Sequence, residues 1–365
     1  MKKNEKIPSY GTPFRIALSG CGGAGLNHAQ EITASPEWQL VAVCDVVEAS
    51  ALKLAKKLGN VKAYADYAEM LDSEQIDAVA IVTPPHVHAM QIELAAERGI
   101  HVLTEKPLAI TVEECKKAVN ACSKAGVLLG VTFTYHFVPD FRRMMEIVDN
   151  GEIGAVREVR WLRYGGKPAQ SQTSPPPPRL ATHREAVVGS IIDCDIHAFD
   201  LMRWFAGSPV VDILAQGVSP GPGWEHTSKT AIFTYADGQR GVYDNGAMTA
   251  VPGCESSQPS ISFIVVGTEG SIIWDFKNGW TLPREQTRLT IHTAKGSRTE
   301  HFPVYEKCRD MQYMEFAGAI REGRLPCGWP SLEEAIEATE IAVSVEKAII
   351  SNTIQLSDMK QFSGK

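Results

Sequence analysis

The sequence lacks three features: a hydrophobic run long enough to cross a membrane, cysteines in CxxC pairs, and an excess of positive charge. Its longest apolar runs, such as residues 78–82, have only the length of a strand. Residues 1–13 also lack the apolar core of a signal peptide. The formal net charge of −7 argues against nucleic-acid binding, which needs a basic face. These absences predict a cytoplasmic protein that binds neither membranes nor nucleic acid.

Cysteine content and length narrow the fold class. The eight cysteines are scattered along 365 residues, which favours reduced thiols over a disulfide scaffold. No metal site is predicted, because the carboxylates and the histidine in residues 193–197 make only a weak zinc pattern. Hydrophobic residues make up 44% of the chain, enough for two cores, and a chain of this length predicts two domains.

The order of the predicted elements divides the chain after residue 138. Strands and helices alternate through residues 1–138, which predicts a Rossmann domain with a doubly wound parallel sheet. Residues 139–365 contain many predicted strands, hairpin turns such as Asp237-Gly238, and a few helices. This second pattern predicts an α+β domain with a large, mostly antiparallel open sheet. The predicted fold class is therefore α/β.

A glycine-rich loop follows the first predicted strand and opens the first helix. It fits the GxGxxG pattern, in which the glycines allow a tight turn, a close approach of a pyrophosphate, and close packing of helix and strand. The helix N-terminus then offers free N–H groups to the phosphates. The residues predicted to bind a dinucleotide here are Gly20, Gly22, Gly23, Ala24 and Gly25.

Asp45 ends the second predicted strand, where a carboxylate accepts hydrogen bonds from the adenosine ribose. The same carboxylate would repel a 2′-phosphate, and residues 46–48 contain no arginine to bind one. We therefore predict NAD rather than NADP as the cofactor. The alternative is that Asp45 only caps the next helix.

Two further groups have the chemistry of alcohol oxidation. Lys106 follows a predicted strand of the first domain, at the sheet edge where ligands of such folds bind, and its charge would stabilise an alkoxide. If residues 193–205 are helical, Asp193 and His197 share one face, and His197 would remove the hydroxyl proton. Asp200, three residues later, shares that face and could orient the imidazole. The alternatives are a surface lysine and a capped core helix with a hydrogen-bonded histidine.

Taken together, these motifs resemble one family, that of glucose–fructose oxidoreductase, inositol dehydrogenase and MocA (Gfo/Idh/MocA). The resemblance covers nearly the whole chain. The EKP motif and the D-x-x-x-H-x-x-D-x-x-x-W pattern, at this separation, are quite specific together. The matching segments are GCGGAGLNH (20–28), CD (44–45), TPPHVH (83–88), GIHVLTEKPLA (99–109), NGEIG (150–154), DCDIHAFDLMRWFAG (193–207), VVGTEGSIIWD (265–275), EFAGAIREGRLP (315–326) and EEAIEATEIAVSVEKAIISN (333–352).

The resemblance implies an NAD(P)-dependent oxidoreductase that transfers a hydride between nicotinamide and a ring hydroxyl of a sugar, an inositol or a sugar derivative. It implies that residues 1–138 bind the cofactor. Residues 139–365 would bind the substrate and form a homodimer or homotetramer through their sheet. Two other functions stay open: an NAD-dependent glycosidase that uses transient redox, and a non-catalytic NAD-binding regulator.

The resemblance also assigns roles to single residues. Lys106, Asp193 and His197 would be catalytic, while Thr83, Pro84, His88, Glu105 and Lys106 would lie beside the cofactor. Tyr135 and His136 stand where the family carries a polar or aromatic pair near the substrate. The residues suggested to contact substrate are Lys106, Tyr135, Tyr164, Arg184, Asp193, Asp195 and His197, with packing as the alternative for the non-catalytic ones. Asp195 replaces a glycine of many members, and the Pro-rich loop 165–185 is idiosyncratic, so both mark where substrate choice is set.

Overall fold

The computed structural model describes residues 12–164, 191–219, 228–246, 260–276, 286–303 and 308–355. Within these ranges the chain forms two compact units. The first contains residues 12–109, Glu113–Thr132 and Arg309–Leu332, and the second contains Ile110–Val112, the described part of Phe133–Cys308, and residues 333–355. The domain boundary after residue 138 stays a prediction. Arg309–Leu332, which that boundary assigns to the second domain, clusters with the first unit.

The first unit is built on a six-stranded parallel sheet. Its strands are β1 (Phe14–Ser19), β2 (Trp38–Cys44), β3 (Lys62–Tyr64), β4 (Ala78–Ile81), β5 (His101–Thr104) and β6 (Leu129–Val131), and its helices are α1 (Gly23–Ala34), α2 (Glu48–Lys57), α3 (Tyr67–Ser73), α4 (His88–Ala96), α5 (Val112–Ala125) and α8 (Arg309–Glu322). The strand order is β3-β2-β1-β4-β5-β6, which confirms the predicted Rossmann sheet. β4 is buried along its whole length, as its uninterrupted apolar sequence requires when both sheet faces are covered.

α8 comes late in the chain yet packs within the first unit. The Trp38 indole donates a hydrogen bond to the Tyr313 carbonyl oxygen at 2.9 Å. The Trp38 ring also stacks on Phe316, with ring centroids 6.2 Å apart. Trp329 lies against Gly130 of β6 so closely that a Cβ at this glycine would overlap the indole. The segment therefore supplies aromatic surface that completes the core of this unit.

The second unit is built on a nine-stranded sheet. Its strands are β7 (Val156–Tyr164), β8 (Val210–Ser219), β9 (Ser228–Tyr235), β10 (Arg240–Gly246), β11 (Ser260–Gly267), β12 (Gly270–Phe276), β13 (Gln286–Thr293), β14 (Gly296–Pro303) and β15 (Thr353–Gln355), and its helices are α6 (Pro139–Asp149), α7 (Ile196–Ala206) and α9 (Leu332–Ser351). The strand order is β14-β13-β12-β11-β7-β10-β9-β8-β15. Only β7 with β10 and β8 with β15 pair in parallel among these strands, which confirms the predicted mostly antiparallel sheet.

One face of the nine-stranded sheet packs against α7. Phe199 of α7 lies 4.9 Å from the ring of Tyr243 on β10, and Phe205 lies 5.1 Å from Phe263 on β11. Trp161 of β7 contacts Phe263 on the same face. Because side chains alternate along a strand, the odd-numbered residues of β7 face α7 and the even-numbered residues face away. The residues of β7 on the side of α7 are therefore the odd-numbered ones, among them Trp161.

Candidate active site

The glycine loop connects β1 to α1 at the carboxyl edge of the first sheet. Gly20 has a φ of 99°, which side chains rarely adopt, and a Cβ there would overlap the Val82 carbonyl group. A Cβ at Gly25 would overlap the Gly20 carbonyl group, so α1 approaches β1 this closely only with glycine. Gly22 and Gly23, in contrast, face open space. A pyrophosphate has room to approach the backbone at these two positions.

Asp45 follows β2 and lies beside the glycine loop. Its Oδ2 accepts a hydrogen bond from the Cys21 N–H at 2.8 Å, and its Oδ1 accepts one from the Val47 N–H at 2.9 Å. α2 has Val47 as its N-cap, so the alternative that Asp45 caps this helix is wrong. Each carboxylate oxygen keeps a further lone pair for a ribose hydroxyl.

These features fit a nicotinamide dinucleotide. The N-terminus of α1 receives no side-chain cap from the described residues, so its N–H groups are left for phosphates. β1 pairs with both β2 and β4, and dinucleotides bind at such a switch point, outside the carboxyl ends of the strands. The glycine loop would hold the pyrophosphate and Asp45 the adenosine ribose.

The turn after β4 is held by hydrogen bonds of its own residues. The Thr83 hydroxyl donates to Gln91 Oε1 at 2.9 Å, and Pro84 is exposed. His88 is fully buried, and its two ring nitrogens lie 2.8 Å from the carbonyl oxygens of Thr83 and Pro107. Burial lowers the pKa of His88, against the raising effect of the two carbonyl groups. His88 thus links this turn to the EKP loop, and its place beside the cofactor stays a prediction.

Glu105 and Lys106 follow β5 at the same carboxyl edge. The Glu105 carboxylate lies 2.8 Å from His28 Nε2, while His28 Nδ1 lies 2.8 Å from the Tyr313 hydroxyl. Burial raises the pKa of Glu105, but the hydrogen bond and charge of His28, with the charges of Lys106 and Arg309, hold it well below its usual value. The sequence reasoning missed this cluster. Its only signal was the position of His28, one turn beyond the glycine loop.

His197 lies in the first turn of α7 in the second unit. Its ring makes edge contacts with Phe133 and Tyr135, at centroid distances of 6.3 and 5.6 Å. Asp193 lies in a π-helical turn, Ile191–Asp195, that precedes α7. The prediction of one regular helix from Asp193 is therefore wrong. Turns of this kind are frequent at functional sites, because they shift side chains out of α-helical register.

Asp200 pairs with His136 and not with His197. Its Oδ2 lies 2.8 Å from His136 Nε2, and both side chains are fully buried. The Trp204 ring stacks on His136 with centroids 4.1 Å apart. The expectation that Asp200 orients His197 is therefore corrected. His136 packs against α7, and its place near the substrate stays a prediction.

Asp195 is buried and its charge is compensated. Lys229 Nζ lies 2.6 Å from its Oδ2, and Asn245 Nδ2 donates to its Oδ1 at 3.0 Å. Breaking a buried ion pair by removing one partner costs about 3–5 kcal/mol, so this carboxylate depends on Lys229. Both oxygens of Asp195 are thus engaged inside the unit, and its contact with a substrate stays a prediction.

Tyr164 lies on the face of β7 that points away from α7. Its hydroxyl donates to Asp244 Oδ2 at 2.8 Å. Trp161, on the other face, lies 5.6 Å from the ring of Tyr135, which in turn contacts His197. Tyr164 thus lies on the opposite face of β7 from Trp161, and its contact with a substrate stays a prediction.

Arg184 and the loop 165–185 lie outside the described residues. Within the described ranges, no helix is long and apolar enough to cross a membrane. The same ranges contain no group of His, Cys, Asp and Glu side chains arranged to hold a metal ion.

Two family models match most of the chain. Residues 14–133 match an oxidoreductase family with an NAD-binding Rossmann fold, and residues 141–273 match the GFO/IDH/MocA C-terminal domain. The chain belongs to the Gfo/Idh/MocA family. The predicted family is confirmed, and the protein is an NAD(P)-dependent oxidoreductase.

Relatives in the Gfo/Idh/MocA family span nearly the same length. A scyllo-inositol 2-dehydrogenase (NAD(+)) of Bacillus subtilis (strain 168) is 32% identical over 86% of this chain and 87% of its own. A D-xylose 1-dehydrogenase (NADP(+)) 2 of Haloferax volcanii is 33% identical over 85% of this chain and 90% of its own. The crystal structure of an oxidoreductase domain protein from Kribbella flavida has a TM-score of 0.79 at 24% identity and covers 93% of this chain and 98% of that one. The names of these relatives thus include both NAD(+) and NADP(+) as the cofactor.

Proposed function

We propose that the protein is an NAD-dependent dehydrogenase that oxidises a ring hydroxyl of a sugar, an inositol or a related derivative. The observation that carries the choice of NAD is the Asp45 carboxylate, 2.8 Å from the Cys21 N–H in the glycine loop. A carboxylate here binds ribose hydroxyls and repels a 2′-phosphate. The inositol and sugar dehydrogenases among the relatives support the substrate class.

The chain's own groups divide the work of alcohol oxidation. Bound NAD supplies the hydride acceptor for the carbon that carries the hydroxyl. His197 removes the hydroxyl proton as general base, and the Lys106 ammonium stabilises the negative charge that develops on the oxygen. The electron pair of the C–H bond leaves with the hydride, the O–H proton goes to His197, and a carbonyl group forms. Asp193 adds a carboxylate that stabilises the protonated imidazole.

The aromatic contacts of His197 support its role as the base. Phe133 and Tyr135 both contact the imidazole ring in edge-to-face arrangements, which restrict its orientation. A base works best when its ring is held in place before the reaction, because proton transfer depends on geometry first.

The proposal includes a cytoplasmic location and a homodimer or homotetramer. Leu214 on β8 and Ile232 on β9 lie directly opposite each other and are 64% and 42% exposed. They lie on the face of the nine-stranded sheet that points away from α7, since their neighbour Phe233 packs against Phe199 of α7. Exposed apolar pairs of this kind support an interface on that face.

Steady-state kinetics with NAD and a panel of polyols, sugars and glycosides tests the proposal. We expect the wild type to form NADH with at least one polyol or sugar. His197→Gln and Lys106→Met should each lower kcat by about 10²–10⁴-fold while NAD binding is kept. His301→Gln, an exposed histidine of β14, is the matched control and should keep the wild-type rate. Glycoside cleavage without NADH accumulation would select the glycosidase alternative. Unchanged biological activity in the Lys106 and His197 variants would select the regulator.

A further inference from the structure

Three polar side chains form a row across one end of the second unit's sheet. Asn245 on β10 lies directly opposite Arg163 on β7 and directly opposite Lys229 on β9. Residues directly opposite on neighbouring strands share one face of the sheet. Arg163 is an odd-numbered residue of β7, so the row faces α7, the helix that carries His197. The row therefore presents two cations and an amide on the side of the proposed base.

The charge at the Lys229 end of the row is compensated. Asp195 accepts hydrogen bonds from both Lys229 and Asn245, at 2.6 and 3.0 Å. The side chains of Lys229 and Asp195 are only 7% and 4% exposed, so the pair lies inside the unit. Burial raises the pKa of Glu346 on α9, and the charge of Lys229 acts against that rise. Two carboxyl groups thus lie near this one ammonium group.

Within the described part of the chain, no carboxylate compensates the charge at the Arg163 end of the row. The side chain is half-buried, and the described residues give it neither a hydrogen bond nor an ion pair. A guanidinium stays charged at any relevant pH, and its removal from water without a partner costs free energy. Burial raises the pKa of Tyr135 and of Tyr243, and the charge of Arg163 opposes this rise at both. Arg163 lies two residues from Trp161 on the same face of β7, and the Trp161 ring lies 5.6 Å from Tyr135, the ring that contacts His197.

We propose that Arg163 binds an anionic group of the substrate, so that the preferred substrate is an acidic sugar or cyclitol and not a neutral polyol. The inference rests on the proposed dehydrogenase function and narrows its substrate class. The planar guanidinium matches either a carboxylate or a phosphate with two parallel hydrogen bonds. One substrate molecule would then place its reacting hydroxyl at His197 and its anionic group at Arg163.

Matched pairs of neutral and acidic substrates test the inference in the NAD-saturated enzyme. The panel compares glucose with glucuronate and with glucose 6-phosphate, and myo-inositol with an inositol monophosphate. We expect kcat/KM to be about 10- to 100-fold higher for an acidic member, which is the effect of hydrogen bonds to a charged group. Whether the carboxylate or the phosphate substrate has the higher kcat/KM identifies the anionic group that Arg163 binds. Arg163→Met should abolish the advantage and leave the neutral member unchanged, while Arg163→Lys should keep part of it.

Arg160→Met is the matched control. Arg160 lies on the same strand but on the opposite face, where it pairs with Glu158. This variant should keep the wild-type preference for the acidic member.

Two outcomes would overturn the inference and leave the dehydrogenase function standing: equal kcat/KM for neutral and acidic members, or an equal loss for both in Arg163→Met. If no member reduces NAD, the proposed function fails, and calorimetry with glucuronate and glucose 6-phosphate then decides the Arg163 site alone. Binding to the wild type that Arg163→Met abolishes supports the site. Binding that the variant keeps, or no binding to the wild type, refutes it.

Discussion

Asp45 is the residue on which the choice of cofactor depends most. We expect Asp45→Ser combined with Val46→Arg to raise KM for NAD by about 10- to 100-fold and to lower KM for NADP. The carboxylate that binds ribose would be lost, and Val46, which is 89% exposed, would supply a cation to a 2′-phosphate. KM for both cofactors with one common substrate measures the change.

Leu52→Arg is the control for this double variant. Leu52 lies on α2 and is 55% exposed, so its substitution adds the same charge farther along the chain. It should leave both KM values unchanged. A wild-type enzyme that uses NADP as well as NAD would contradict the assigned role of Asp45.

Single residues were predictable where their roles depend on neighbours in sequence. The glycine loop and Asp45 belong to one strand–loop–helix–strand segment, and the structure brings them together through the bond between Cys21 and Asp45. The partners of Asp195 and Asp200 were not predictable, because Lys229 and His136 lie far away in sequence. A spacing of three or four residues shows which side chains share a helix face, but not which of them meet another element.

At the scale of elements, a histidine bridges the ends of β5 and β6. His101 Nδ1 accepts a hydrogen bond from the Leu128 N–H at 2.9 Å, and burial lowers the pKa of His101. The folded-state pKa lies below the unfolded value of about 6.5, so the unfolded chain binds more protons between the two values. The contribution to stability is present above about pH 6.5 and is lost as the pH falls toward the folded pKa.

Urea unfolding of the wild type and of His101→Gln at pH 7.5 and 5.5 measures this effect. We expect the wild type to lose more stability than the variant on acidification, by less than about 1 kcal/mol, because solvent screens a half-buried ring. Exposed His86 provides the control variant His86→Gln, which should keep the wild-type pH dependence. Identical pH dependence in the wild type and His101→Gln would contradict the assigned bond.

Strands with a regular alternation of apolar residues were predictable from the sequence, whereas local irregularities of the backbone were not. The sequence predicts strands near residues 156–164, 228–235 and 240–246, and β7, β9 and β10 have these bounds. Alternating apolar residues mark a sheet with one packed face. The same alternation, counted from Trp161, would have placed Tyr164 away from α7 and Arg163 toward it. The π-helical turn Ile191–Asp195 has no such marker, since its backbone depends on the packing around it.

At the scale of the whole molecule, the first unit depends on a distant piece of chain. We expect a fragment of residues 1–138 to lack cooperative thermal unfolding and to bind NAD poorly. It lacks Tyr313 and Phe316, which cover Trp38 in the intact chain, and the loss of one buried aromatic side chain already costs about 3–5 kcal/mol. Calorimetry and tryptophan fluorescence measure the outcome.

A peptide of residues 309–332 added to this fragment should restore part of both properties, whereas a scrambled peptide should not. A fragment that unfolds cooperatively and binds NAD like the intact protein would argue against the role given to this segment. That residues 309–332 belong to the first unit was not predictable from the sequence. Its pattern predicts a helix but does not specify which core that helix covers.

The first unit is built from two stretches of chain that lie far apart in sequence, and this arrangement affects its folding during translation. The six strands of the Rossmann sheet emerge from the ribosome early, but α8 emerges only after β7–β14 have been synthesised. Until then the Trp38 side chain on the nascent chain lacks Tyr313 and Phe316, its partners in the finished protein. The dinucleotide-binding unit therefore begins to form before the second unit, but it gains its last helix only after most of the second unit's sheet has been synthesised.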